Sequence, residues 1–512
     1  MEPFKQEPAV KYTKSRVNLL ILIPILALYS CGMNTSFSVT KKYSPAELKK
    51  DYEVYRELLE DLHPSLYWYT SKDSMDMYFE DGESQLRDSL TELQFRKILT
   101  YITSKINCGH TTVRGSKKYS RYVDTANLKV FPLNVKTWQA DTVVVSTNLN
   151  RKDSILRRGI VITAVNGRPV NRLVDTMFHY LSADGNNLTH KFQSLSNRAS
   201  FGNLLTQLYG PSNFYTIEYL DSLGNRRSIR VPAYDPSSDT TLRALLRQAA
   251  NIPAPSPEER RRRRLASVRQ LRIDTANQTA FMELNSFGRG YHLKRFYRQT
   301  FKTLNQNKIP YLVIDVRSNG GGSVSNSTSI SRFIARQPFK IADSLYAIRK
   351  RGRYDQYVQH HFWNRLFINF FTKRKTDRNY HFGYFERHYF KPRKKNHFKG
   401  KVYVLTGGNS FSATTLFVHA VHEQKNVIIV GEETGGAAYG NSAWLIPDVT
   451  LPKTKIRFRL PLFRLVINKN APKDGSGFQP EVSSTPTVEA IRRNKDFKME
   501  TVLNLIKADK VK

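Results

Sequence analysis

Val404-Leu405-Thr406-Gly407-Gly408-Asn409-Ser410-Phe411-Ser412-Ala413 is the stretch on which the fold turns. An apolar run breaks at two glycines, and small hydroxyl residues then open a helical pattern over 412–423. Strand, turn and helix thus follow one another within a short span. Further strand candidates stand at 280–284, 311–316 and 427–430, with helical stretches near 293–306 and 326–336 between them. The alternation predicts an α/β layer with a largely parallel sheet. In such sheets ligands gather at the carboxyl ends of strands. A serine at a helix N-terminus there lies in a positive field that favours a developing anion. Either Ser410 or Ser412 would also serve as a plain N-cap.

A second strand end reads Ile314-Asp315-Val316-Arg317-Ser318-Asn319-Gly320-Gly321-Gly322. Three glycines after a strand let backbone N–H groups approach a ligand closely. A basic, aromatic-rich insertion occupies about 340–397, between the two strand ends.

Towards the N-terminus the pattern changes twice. Residues 131–234 hold short β-rich runs at 131–136, 143–146, 160–165 and 215–219, bounded by turns such as Asn166-Gly167. Residues 43–120 are helical. Ser44-Pro45-Ala46-Glu47 and Thr91-Glu92-Leu93-Gln94 are capping boxes. Behind the first, Leu48, Tyr52, Tyr55, Leu59 and Leu62 recur at helical spacing. Behind the second, the apolar face runs into Cys108-Gly109-His110-Thr111. Between these regions and the α/β layer, 235–270 reads as a linker with Pro253, Pro255 and Pro257 and the run Arg260 to Arg264. Such a basic run is usually a solvated helix face.

The first sixteen residues carry Lys5, Lys11, Lys14 and Arg16. An apolar run at 17–28 follows, broken only by Asn18 and Pro24. It falls short of the roughly twenty residues that span a bilayer and reads as a secretory signal. It ends Leu28-Tyr29-Ser30-Cys31, which resembles the bacterial lipoprotein box. That resemblance implies cleavage before Cys31 and lipidation of its thiol, hence a membrane anchor at the bacterial cell envelope, facing periplasm or exterior. Cys108 is then the one remaining cysteine. Two distant thiols build no zinc site. His419-Ala420-Val421-His422-Glu423 matches no zinc-peptidase spacing. No metal and no cofactor is therefore expected.

With 81 Lys and Arg against 43 Asp and Glu, the formal charge is +38. The excess is spread along the chain rather than gathered on one element, so nucleic acid is not the expected partner. Attraction to anionic lipid or polymer outside the cell fits as well. Hydrophobic residues at 40% and aromatics at 12% suffice for a sizeable core and argue against disorder.

The stretch from Leu156 to Val170, with its Gly-led strand and Asn166-Gly167 turn, resembles the centre of a PDZ domain. Asp-x-Arg-x-Asn-Gly-Gly-Gly, then Asn-Ser-Phe-Ser-Ala-Thr-Thr, then Val430-Gly431-Glu432-Glu433-Thr434-Gly435-Gly436, resembles the C-terminal-processing (tail-specific) serine peptidases. The likeness implies hydrolysis of protein or peptide substrates, with Ser412 as nucleophile and Gly322 and Ala413 as oxyanion N–H donors. The Ser-Lys branch of that family has its lysine at the position of Ala437, so the dyad is absent. The tricorn-like branch takes a histidine from the helical region and an acid after the serine, implying His110 and Asp474, with Glu432 or Glu433 as stand-ins for the acid. The alternative is a catalytically inactive lipoprotein on the same scaffold, binding peptide or another envelope polymer.

The expected organisation is then a signal peptide over 1–30 and a tether over 31–42. A helical N-terminal domain over 43–120, a PDZ-like domain over 131–234 and a linker over 235–270 follow. An α/β core over 271–490 and a tail over 491–512 complete the chain.

Overall fold

The computed structural model describes residues 37–139 and 141–511. Contacts divide the chain into Met1–Ser38 and Val39–Lys512. The signal segment and Cys31 lie outside the described residues. Among the described residues no helix is long and apolar enough to cross a membrane.

A six-stranded sheet organises the C-terminal half. Its strands stand in the order Arg269–Asp274, Thr279–Leu284, Tyr311–Asp315, Lys401–Thr406, Val427–Gly431, Val482–Ser483. The first pairing is antiparallel and the other four are parallel. The central strands are apolar on both faces because both faces are covered. Val402 and Val404 point to one side, where Phe301, Phe333 and Phe417 pack from helices Leu293–Gln306, Val324–Ile334 and Ala413–Val421. Tyr403 and Leu405 point to the other, as strand alternation requires. Val502 and Ile506 of a helix at Phe497–Val511 cover them there. The stretch expected as a tail from 491 is thus a structural layer of the sheet, carried by apolar side chains at helical spacing.

Residues 131–234 form an antiparallel sheet in the order Leu133–Gln139, Thr142–Asn148, Val161–Val165, Phe214–Leu220, Arg226–Pro232. Asn166 and Gly167 both have positive φ, 50° and 72°, the backbone a tight hairpin turn needs. Asn166 Oδ1 accepts the Thr216 N–H at 2.8 Å, tying the turn to the next strand. The linker stretch holds two helices, Thr240–Ala250 and Pro257–Ala266, and Arg260 to Arg264 are solvent-exposed.

Both capping boxes form as read, at helices Pro45–Leu62 and Glu92–Lys105. The apolar faces of these helices do not close a core of their own. Tyr55, Leu58, Leu59 and Phe95 share one cluster with Ile341, Leu345, Val449, Phe458 and Phe463. Val113–Arg114 pairs with Arg457–Arg459, and the buried Asp51 carboxylate accepts the N–H groups of Lys453 and Thr454 at 2.7 Å each. The helical region and the C-terminal half are therefore one packed body, where the sequence suggested two domains.

The basic insertion also builds structure. Its strands Lys373–Arg374, Tyr380–His381 and Ser344–Ala347 join Arg464–Val466 and Gly440–Asn441 in a five-stranded antiparallel sheet. This sheet stands beside the turn that carries Ser412.

Candidate active site

The turn after strand Lys401–Thr406 distinguishes its two serines. Ser410 is fully buried; its Oγ donates to the Val316 carbonyl at 2.8 Å and accepts the Gly407 N–H at 3.2 Å. It staples two strand ends together. Ser412 is the N-cap of helix Ala413–Val421, yet its side chain makes no capping hydrogen bond. Its backbone has φ 59° and ψ −120°. A non-glycine residue there stores about 1–3 kcal/mol, and such strain persists where surroundings over-determine it, often at functional sites. Ser412 thus stands at a helix N-terminus and lines a cavity.

The triple glycine supplies the opposite wall. Asn319 is buried and organises it: Nδ2 donates to the Leu284 carbonyl at 3.0 Å and Oδ1 accepts the Gly321 N–H at 3.0 Å. Its own carbonyl accepts from Phe411 N at 3.2 Å and Thr414 Oγ1 at 2.8 Å. Gly321 has φ 97°, and a Cβ there would come within 2.7 Å of Ser412 Cβ and 2.8 Å of Ala413 N. Gly322 has φ 134°, and a Cβ there would come within 2.5 Å of Gly288 N. Only glycine allows this approach. The Ala413 N–H, in the first helical turn, has no intrahelical acceptor. Gly322, Ser412 and Ala413 line one cavity of about 870 Å³. Arg317, by contrast, is held by Asp315 at 2.6 Å and Asp496 at 2.5 Å and supports the strand end from outside.

His110 lies against Phe411, the residue before Ser412, with ring centroids 4.5 Å apart. The turn is fixed by Thr111 N to the Cys108 carbonyl and by Gly109 N to Asp184 Oδ1, at 3.1 and 3.0 Å. His110 is buried, and neither ring nitrogen has a hydrogen-bond partner. Its pKa is pushed down to about 3, by burial first and then by the charge of Arg459 and by His190. A neutral imidazole with a free acceptor nitrogen therefore stands one residue from Ser412, without a hydrogen bond to it.

The acid is where the expectation fails. Asp474 is exposed; its Oδ1 accepts the Ser476 N–H at 2.8 Å and its own carbonyl accepts from Asn186 N. It closes a local Asx turn and does not reach the His110 ring. Asp-Gly-Ser is turn chemistry, and the turn wins. Neither stand-in replaces it. Glu432 is ion-paired to buried Lys498 at 2.6 Å. Glu433 accepts from Gly477 N and Thr189 Oγ1, both at 2.7 Å. The same Glu432 contact occupies Lys498, so that lysine is no substitute for one at Ala437.

Two residues packed beside the Ser412 turn had no signal in the sequence. Asp184 is fully buried, and burial pushes its pKa up to about 6. It ties the Gly109–His110 turn to Ala437 N, at 3.4 Å. In the chain it sits in Asp184-Gly185-Asn186, which reads as an ordinary turn. His190 also stacks on Phe411, with ring centroids 4.8 Å apart, and hydrogen-bonds the Gly408 carbonyl through Nδ1 at 2.7 Å. Among the described residues no group of three or more His, Cys, Asp or Glu is placed to hold a metal ion. His419 and His422 pack on Phe478 instead.

Residues 278–483 match the model of Peptidase family S41. That span contains Gly322, Ser412 and Ala413 and leaves His110 outside. Among solved structures, the chain is similar to mature CPAF at 16% identity and a TM-score of 0.60, with 91% of this chain and 99% of that one covered. It is likewise similar to mature CPAF complexed with lactacystin, at 14% identity and 0.59, with 90% and 98% covered. At these identities the likeness is one of fold, and it extends over the helical and antiparallel regions as well. No curated protein matches the chain.

Proposed function

We propose that this chain is a serine-type peptidase with Ser412 as nucleophile and His110 as base, acting on proteins or peptides. The observation that carries the reading is Ser412 itself: a strained, positive-φ residue at a helix N-terminus, free of capping duty, facing glycines that leave no room for a side chain. In the proposed reaction Ser412 Oγ bonds to the substrate carbonyl carbon as its proton passes to a ring nitrogen of His110. The Gly322 and Ala413 N–H groups hold the oxyanion, a contribution of about 3–4 kcal/mol for each donor. The C–N bond then breaks and the amine leaves with the proton. Water repeats the sequence on the acyl-serine and restores the hydroxyl. His110 must turn from its stack on Phe411 for the first step. The Ser-His arrangement is favoured over Ser-Lys because Ala437 stands at the lysine position. A labelled fluorophosphonate tests the reading, since only an activated serine reacts: labelling should vanish in Ser412→Ala, and an unlabelled wild-type chain overturns it.

One observation favours a second reading, a binding protein on the same scaffold. The His110 ring has no carboxylate to stabilise a charge, and Arg459 opposes one. The same labelling experiment decides between them. We further infer from Ser30-Cys31 that the chain is lipid-anchored in the cell envelope. Cys31→Ser should then yield protein that is neither lipidated nor cut before residue 31, and unchanged acylation would refute it.

A further inference from the structure

The cavity that holds Ser412 has a second wall, built by residues the proposed reaction does not use. Phe367, Phe382, Tyr384 and Phe385 come from the insertion, and Trp444 faces them from the loop before Leu445. Phe385 and Trp444 meet at 4.6 Å between ring centroids, edge to face, and Phe367 and Phe382 at 5.4 Å. Trp444 and Leu445 both have positive φ, 76° and 49°. Two consecutive non-glycine residues in that region are strained, and the strain holds an indole at the cavity rim. The charged lining residues are Arg289 and Arg459, with no carboxylate among them.

The aromatic wall is bracketed by a buried polar post. His381 precedes Phe382 and Glu386 follows Phe385. His381 Nδ1 and Glu386 Oε1 are 2.7 Å apart, and His381 Nε2 lies 2.9 Å from Asp377 Oδ2. Glu386 Oε1 also accepts the Leu345 N–H at 2.9 Å, and its Oε2 takes Lys375 Nζ at 2.6 Å. The short segment between the two residues therefore cannot move without breaking buried, charge-assisted bonds. Its two ends are fastened to the strand Ser344–Ala347, by the pairing of His381 with Tyr346 and by Glu386 Oε1.

We propose that this cavity receives a large aromatic side chain flanking the bond that Ser412 attacks, and that His381 and Glu386 are positioning residues that hold its wall. The assignment of the bond rests on the reading of Ser412 above. A lysine or arginine side chain is disfavoured, because the lining offers two cations and no anion. A small side chain leaves the rings unfilled. An aromatic one stacks edge to face with Phe385 and Trp444 and displaces water from apolar surface.

Binding is measured on the Ser412→Ala chain with blocked pentapeptide amides carrying Phe, Ala, Asp or Lys at the centre. The Phe peptide should bind roughly 10- to 100-fold more tightly than the Ala peptide, the ratio expected for burying an aromatic ring. Phe385→Ala in the same background should reduce that ratio most. Glu386→Gln, which keeps the shape of the post and removes its charge, should narrow the ratio by weakening the Phe peptide more than the Ala peptide. A merely structural role would weaken all peptides together. Equal affinity for Phe and Ala peptides, tighter binding of the Asp or Lys peptide, or a ratio indifferent to both substitutions overturns the proposal. The protein used cannot turn over substrate. An aromatic preference found alongside an intact chain that fluorophosphonates do not label therefore leaves the pocket standing and removes only the hydrolase reading.

Discussion

Ser410 and Ser412 lie two residues apart in one turn, and their hydroxyls meet different surroundings. Ser410→Ala leaves the Val316 carbonyl and the Gly407 N–H short of a buried partner, at a cost of about 1–3 kcal/mol. It should lower Tm and keep most fluorophosphonate labelling. Ser412→Ala should keep Tm and lose the label, and a label that survives it would mean another hydroxyl reacts. His110 carries a second prediction. In the unfolded chain it titrates near its ordinary 6.5, and in the fold near 3. Between those values the unfolded state binds the proton and the native state does not, so stability falls as pH drops from about 6.5 towards 3. His63, also pushed down to about 3 by burial and by Arg464, adds to the same slope. Asp184 opposes it: with its pKa raised to about 6, the native state takes up a proton first as pH falls, and stability is gained from that group. Tm measured from pH 7 to pH 5 should therefore fall less steeply in His110→Phe than in the wild type, and an unchanged slope would place His110 in water. By the same shift, kcat/KM should hold its value well below the usual imidazole range before its acid limb begins.

At the scale of elements, the sequence was most readable where one segment decides its own structure. The capping boxes at Ser44 and Thr91, the Asn166-Gly167 turn and the strand–turn–helix around Ser412 follow from local rules, and all formed. The acid was misread because Asp474 obeys a local rule too, closing its own turn onto Ser476. Asp184 was illegible because its partners, Gly109 N and Ala437 N, lie in two other segments. Its position makes it the tether between the His110 turn and the loop beside Ser412. Asp184→Ala should therefore cost about 1–3 kcal/mol for the two orphaned N–H groups and also slow labelling of an untouched Ser412. Asp184→Asn, which keeps an acceptor for Gly109, should restore most of the labelling rate. If Asn and Ala behave alike, the tether is not what Asp184 contributes.

Across the whole molecule, the parallel sheet was legible from alternating strands and helices, but the sharing of one core between the first helices and the last strands was not. Amphipathic spacing in 45–62 says that Tyr55 and Leu59 are buried; it cannot say against what. The partners are Phe458, Phe463 and the insertion, hundreds of residues away. Tyr55 is fully buried, 5.1 Å from the Phe458 ring between centroids, with its hydroxyl 2.7 Å from Thr103 Oγ1. If the core is shared, damage at Tyr55 must be felt at Ser412. Tyr55→Ala should remove about 3–5 kcal/mol. Calorimetry should show the main transition moving down whole, rather than a small early step for 43–120 followed by an unshifted one. For the same reason the span 271–490 expressed alone exposes Val449, Phe458 and Phe463 and should fail to give a cooperative transition or a labelled serine. A stable, labelled 271–490 fragment would show that the α/β layer folds without the helices, and that the base for Ser412 lies within it rather than at His110.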